Sequence, residues 1–379
     1  MKKLLISLVL AFAINAQAQV VEKIEPASWW IGMEMNTVEF MVHGKDISQL
    51  VAESTTLEVI KSEGLESPNY LFVTATVPVD AKVGDHTLVF RNTKGKKVGR
   101  LSVALGLRAD GSASRKGFSS ADFIYLITPD RFRNGDASND QVKGMLEGPN
   151  REFIGGRHGG DLAGIIESLD YFEKMGISSL WLNPVLENNM ETYSYHGYAM
   201  TNLYNVDPRY GTNEQYKELA DKAKEKGIGI IMDQVANHIG SLHPWMSDLP
   251  SEDWVNQWPE FTQTNHMKVS RFDPHAAEVD RKQFTDGWFV ETMPDLNQRN
   301  EKLARYLIQN SIWWVEYLGL HGIRMDTWSY PDKQFLADWT KAILDEYPNF
   351  NIVGEEWVSD PSLISYWQAG TTKMDDYTT

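Results

Sequence analysis

Two rhythms of apolar and polar residues divide the chain. Between residues 19 and about 107 the apolar positions fall in short runs rich in branched and aromatic side chains, at 38–42, 57–60, 70–77, 86–90 and 98–105. Such runs, broken by polar turns, predict strands, and Asn92-Thr93-Lys94-Gly95-Lys96 reads as a hairpin turn. Several short strands in succession predict a small β-sandwich. The polar stretch 108–120, with Gly111, Gly117 and four serines, predicts a linker.

The second rhythm starts near residue 121 and alternates strands with helices. Strands are predicted at 123–127, 177–182, 228–232, 322–326 and 351–355. Leu162, Ile165, Ile166, Leu169 and Phe172 recur at helical spacing and Gly176 ends that run, which predicts one helix over 162–175. Helices are also predicted at 213–226, capped by Asn213, at 299–318 and at 332–347. Residues 239–300 show neither period and hold Trp245, Trp254, Trp258 and Trp288. An insert of that length is uncommon unless it is functional.

Strand–helix repetition of this kind predicts a parallel β/α barrel, although an open doubly wound sheet fits the same pattern. The phosphate-binding glycine fingerprint is missing from the first turn, which counts against a dinucleotide site. Five strands are predicted where a closed barrel has eight. The chain is therefore expected to be the N-terminal portion of a longer enzyme, inactive and without cooperative unfolding if expressed alone.

Composition narrows the picture. The formal net charge of −16 opposes binding to nucleic acid or an anionic membrane and suits a neutral partner. With no cysteine, disulfides, thiol catalysis and zinc–thiolate sites are excluded. Residues 1–18 read as a cleavable signal peptide: Lys2 and Lys3, an apolar run too short to span a bilayer, then Ala16-Gln17-Ala18. The mature protein is expected in the periplasm or outside the cell.

The chemistry gathers at predicted strand ends. In Gly322-Ile323-Arg324-Met325-Asp326 the alternation puts Arg324 and Asp326 on one face, with the carboxylate at the C-terminal end. Alone, the pair could be a structural salt bridge. A second acid, Glu355, ends the next strand, and Asp233 ends an earlier one. Two carboxyls, one ionised and one protonated, are the apparatus of glycoside hydrolysis. The sequence reading gives Asp326 the ionised role, because of Arg324, and Glu355 the raised pKa. Glu356 is expected on the opposite side of its strand.

These segments resemble the signatures of the alpha-amylase family of glycoside hydrolases. Gly-Ile-Arg-Met-Asp-Thr is similar to its nucleophile strand, Gly-Glu-Glu-Trp to its acid/base strand and Asp-Gln-Val-Ala-Asn-His, at 233–238, to its first signature. Met293-Pro-Asp-Leu-Asn297 resembles the neopullulanase and cyclomaltodextrinase subgroup. The resemblance implies an immunoglobulin-like domain ahead of the barrel, often used in dimer contacts, and an inserted subdomain facing substrate. It implies cleavage of alpha-glucosidic bonds in maltodextrins, pullulan or cyclodextrins, with Asp326 and Glu355 catalytic. His196, Tyr198, Asp233, His238 and Arg324 would serve the substrate site, Asp233 by bracing Arg324. It also implies structural calcium on Asn134, Asp136, Asn139, Asp140, Gly159 and Asp161. Composition alone reads the 134–140 loop as a solvated turn more readily than as a calcium site, and Asp161 equally as a helix cap. An oligo-1,6-glucosidase, a plain alpha-amylase and a non-catalytic sugar-binding homologue are the rival readings.

Overall fold

The computed structural model describes residues 20–368; the expected signal segment 1–18 lies outside them. The first eight strands are β1 (Val21–Glu25), β2 (Ser28–Ile31), β3 (Thr37–Gly44), β4 (Val51–Glu53), β5 (Glu58–Gly64), β6 (Tyr70–Thr76), β7 (Gly84–Arg91) and β8 (Lys97–Leu107). They form two four-stranded sheets, ordered β1-β3-β6-β5 and β2-β8-β7-β4. Trp29, Phe40, Leu71, Val73, Phe90 and Val103 are buried in this part of the core. Alternation such as Val38, Phe40 and Val42 on β3 supplies an inward face. The predicted turn at 92–96 is present, with Asn92 N–H donating to Lys96 O at 3.0 Å and Gly95 at φ +74°. Strands β1, β2 and β4 were not predicted, being short and mixed in polarity.

The polar stretch after β8 is fastened to the helices that follow. Arg108 Nη1 lies 2.5 Å from Glu346 Oε1, and Arg115 Nη2 lies 3.2 Å from Glu316 Oε2. Both guanidiniums sit over the Tyr347 ring, at 5.1 and 4.9 Å. On β3, the Glu39 backbone N–H and C=O are both met by the Gln309 amide, at 2.8 and 2.7 Å.

Five further strands follow: β9 (Ile124–Ile127), β10 (Ser179–Leu182), β11 (Gly229–Gln234), β12 (Gly322–Met325) and β13 (Ile352–Gly354). All neighbours are parallel and lie in chain order, without the reversal of strand order that defines a doubly wound sheet. Barrel-type topology is therefore the correct reading of the alternation. Helices Asn213–Glu225, Glu301–Leu318 and Lys333–Glu346 connect or flank the strands.

Two helix predictions need correction. The single helix expected over 162–175 is two short ones, Leu162–Ile166 and Leu169–Lys174. Ser168 interrupts them, its hydroxyl donating to Gly164 O at 2.8 Å, a side-chain competitor of the helical ladder. The helix at Asn213 is capped instead by Thr212, which forms a capping box with Gln215. Asn213 turns its Oδ1 to the Val206 N–H at 2.8 Å.

Register fixes the chemistry. Asp233 on β11 pairs with Arg324 on β12, and Met325 pairs with Gly354 on β13. Asp326 and Glu355 follow directly, so the acids leave neighbouring strands at one level. The insert returns to this edge through a bridge between His238 and Asp295.

Candidate active site

A cavity of about 970 Å³ opens over these strand ends. Asp326, Glu355, Arg324, His196, Tyr198 and His238 all line it. Asp233 does not; it is buried beneath Arg324, 1% exposed. Its carboxylate accepts from Arg324 Nη1 at 2.7 Å, and from Trp181 Nε1 and the Tyr198 hydroxyl at 3.0 Å each.

One guanidinium holds three acids. Arg324 Nη1 donates to Asp326 Oδ1 at 2.7 Å as well as to Asp233, and Nη2 lies 2.6 Å from Glu355 Oε1. The two carboxyls are thus held on the two nitrogens of one planar fork. Glu356 turns elsewhere, to Lys268 Nζ at 3.3 Å and Trp367 Nε1 at 2.8 Å.

The order of ionisation is the reverse of the sequence expectation. Burial pushes Asp326 up to about 8; Arg324 opposes the rise, and the charges of Asp233 and Glu355 add to it. Burial also raises Asp233 to about 6 against the pull of Arg324. At Glu355 burial acts upward too, but the Thr327 N–H, Arg324, Trp357 and a hydrogen bond with Asp326 outweigh it and hold the carboxyl below the ordinary glutamate range. The expected pairing of Arg324 with Asp326 and its bracing by Asp233 are both present, and Glu355 is the additional partner. In the structure one positive charge is divided among three acids, so burial lifts Asp326 and Asp233 while the donors around Glu355 hold it down.

Burial favours the neutral form of both predicted histidines, lowering His196 to about 4 and His238 to about 3. His196 Nδ1 accepts from the Tyr198 N–H at 2.9 Å, which leaves the ring proton on Nε2. His238 stacks on Phe289 at 5.3 Å, and its Nε2 is buried without a protein partner.

The cavity wall also carries residues that sequence reasoning missed: His266, Lys268, Phe289, Tyr330 and Trp357. Three come from the insert, where no periodicity marks a face. Trp357 closes the Gly-Glu-Glu-Trp run, which drew notice for its acid and not for its ring.

Residues 134–161 form a separate corner. Asp140 Oδ1 accepts from Asn134 Nδ2 at 2.7 Å, and both atoms crowd Gly159, at φ +88°, where a Cβ would come within 2.5 Å of Asp140. Asn139 Oδ1 is buried without a partner. The other two acids are engaged. Asp161 caps its helix at Gly164 N–H, 2.7 Å, and also accepts from the Gly135 and Asp136 N–H groups. Asp136 Oδ1 accepts from the Ser138 hydroxyl at 2.6 Å. Among the described residues no group of three or more His, Asp or Glu side chains is placed to hold a metal ion.

The alpha amylase catalytic-domain model matches residues 126–377, and the cyclomaltodextrinase N-terminal model matches residues 23–103. The chain is 32% identical over 251 residues to the cyclomaltodextrinase of Thermoanaerobacter pseudethanolicus, covering 63% of this chain and 40% of that protein. It is also 32% identical over 249 residues to the beta/alpha-amylase of Paenibacillus polymyxa, covering 65% and 19%. So the chain spans two fifths or less of these relatives. Among solved structures, an Anoxybacillus alpha-amylase superposes with a TM-score of 0.56 at 31% identity, over 65% of this chain and 50% of that one. That of Geobacillus thermoleovorans, complexed with acarbose, gives 0.53 at 32% identity, over 65% and 49%. With Asp326 and Glu355 on one cavity and its catalytic-domain match covering most of its length, the chain belongs to the alpha-amylase family.

Proposed function

We propose that the protein is a retaining glycoside hydrolase that cleaves alpha-glucosidic bonds in maltodextrins, cyclodextrins or pullulan. The observation that carries this reading is the placement of Asp326 and Glu355 on the two nitrogens of one guanidinium. The cyclomaltodextrinase relative and the matching N-terminal model support the substrate class. Both acids and Arg324 are present, which favours an enzyme over a sugar-binding homologue.

In the resting site burial favours a proton on Asp326. Sugar entry excludes water, and Glu355 takes up the proton while Asp326 ionises beside Arg324. Asp326, now a carboxylate steadied by Arg324, attacks the anomeric carbon. The glycosidic C–O bond breaks as Glu355 protonates the leaving oxygen, giving a glycosyl-enzyme. Glu355 then takes a proton from water, whose oxygen displaces Asp326. His196 Nε2–H and His238 hold sugar hydroxyls as neutral partners, and the Tyr198 ring offers an apolar face to the sugar.

Calcium fits the Asn134, Asn139, Asp140 and Gly159 corner as a structural ion that would tie the loop down; Asp136 and Asp161 fit less well because their oxygens are otherwise engaged. The expected signal segment would place the protein in the periplasm or outside the cell.

The test is hydrolysis by the protein at the full length its gene encodes. Release of sugar from β-cyclodextrin and pullulan, lost in Asp326→Asn and in Glu355→Gln, is expected. Hydrolysis of isomaltose instead would point to an oligo-1,6-glucosidase. Maltooligosaccharide binding without turnover would leave a sugar-binding protein.

A further inference from the structure

Oε1 of Glu355 has both of its acceptor sites taken, although this group must carry a proton. Its Oε1 accepts from Trp357 Nε1 at 2.7 Å and lies 2.6 Å from Arg324 Nη2. Its Oε2 accepts from the Thr327 backbone N–H at 2.9 Å. A carboxyl in this state can take a proton on Oε1 only if a donor leaves. The three donors differ sharply in how far they can move. Arg324 is buried and committed to Asp233 and Asp326. Thr327 donates from a turn at φ +49°, a left-handed conformation uncommon for a β-branched residue and held there by its surroundings. Trp357 is 77% exposed and lies on the cavity wall. Lys268 Nζ, 6.0 Å from its ring, is its cationic neighbour.

We infer that Trp357 is a positioning residue: its indole N–H holds the Glu355 carboxylate back against Arg324 in the empty site and lets it go when sugar enters. The inference rests on the glycosidase reading for the released state, but the clamped state stands on geometry alone. An exposed indole gains apolar contact when a sugar ring covers it. The movement that makes this contact removes a donor from Oε1. That oxygen is then open to the proton that Asp326 gives up. Binding and readiness of the acid are coupled through one hydrogen bond, and water in the empty site meets an acid that is not armed.

Two measurements on the full-length protein test this. In the free protein, the indole ¹H resonance of Trp357, assigned by its loss in Trp357→Phe, should move with pH, and the movement should vanish in Glu355→Gln. Second, Trp357→Phe keeps a ring and removes the donor. The alkaline limb of kcat/KM, which reports the free enzyme's acid, should move to higher pH by about half a unit or more, because an N–H to the ionised form has been lost. The alkaline limb of kcat, which reports the complex, should stay in place. An indole resonance indifferent to Glu355 overturns the inference. So does a Trp357→Phe profile in which both limbs move together, or neither moves. A protein that shows the indole titration and yet hydrolyses no alpha-glucan would refute the glycosidase reading while leaving the clamp in place.

Discussion

Asp233 takes a hydrogen bond from Arg324 Nη1 at 2.7 Å, from the same nitrogen that holds Asp326. Asp233 does not line the cavity, so it acts there through the guanidinium and through the Tyr198 hydroxyl, both of which it accepts from. Asp233→Asn keeps the shape and removes the charge that anchors Arg324 from below. The fork would then follow Asp326 and Glu355 alone. The expected outcome is a fall in kcat of about 10²-fold with KM little changed, the pattern of a displaced reacting group. Steady-state kinetics on maltotriose, with a circular-dichroism spectrum to verify the fold, would check it.

Asp326 should weaken the fold that it serves. Its carboxyl is raised to about 8 by burial, against ~3.9 for a free aspartate. Between those values the folded state binds more protons than the unfolded one, so this group's contribution falls as pH rises from about 4 to about 8. Asp326→Asn cannot ionise. It should abolish turnover and melt higher than the parent at pH 8, with the gap narrowing toward pH 4. Each kcal/mol gained would appear as roughly 2–4 °C. Equal pH dependence of melting in both proteins would contradict the raised pKa.

The sequence disclosed the acids more readily than their protonation. Arg324, Asp326 and Glu355 were legible because strand alternation fixes a face and a strand end fixes a level. The bracing of Arg324 by Asp233, from a strand 91 residues away, followed from the resemblance; the hold of the same fork on Glu355 did not, since it depends on where the second nitrogen points. Lys268 and Phe289 were invisible for a different reason: they sit in an insert whose fold follows from bridges such as His238 to Asp295, not from a periodic face. The helix broken at Ser168 failed the same way, through a hydroxyl bond that spacing does not record.

The join between the sandwich and the strand–helix region gives a stability prediction. The Glu346 side chain is 1% exposed. It is met by Arg108 and by the Glu34 and Met35 N–H groups at 3.1 and 2.9 Å. Arg108→Ala would leave a buried carboxylate with backbone donors only. Breaking such a pair costs ~3 kcal/mol or more. Urea unfolding of the full-length protein should show that loss, and Arg108→Ala with Glu346→Gln should recover part of it. A loss below ~1 kcal/mol would mean that the pair is as weak as a surface contact.

The loop at 134–161 offers the cleanest test of calcium. Asn139 Oδ1 is buried without a partner, a costly state that a bound cation would relieve. Asp140 supplies a negative oxygen beside it, packed on a glycine that leaves room for no side chain. Calcium that binds only the folded protein should raise its melting temperature with concentration, by ~2.7 kcal/mol at a hundredfold excess over Kd. Chelation should reverse the rise. Asp140→Asn should blunt the calcium response while leaving the melting point in chelator nearly unchanged, because it removes charge without removing volume. A parent protein whose melting ignores calcium at millimolar concentration would show that the corner is closed by its own hydrogen bonds, with Asn134 already occupying Asp140.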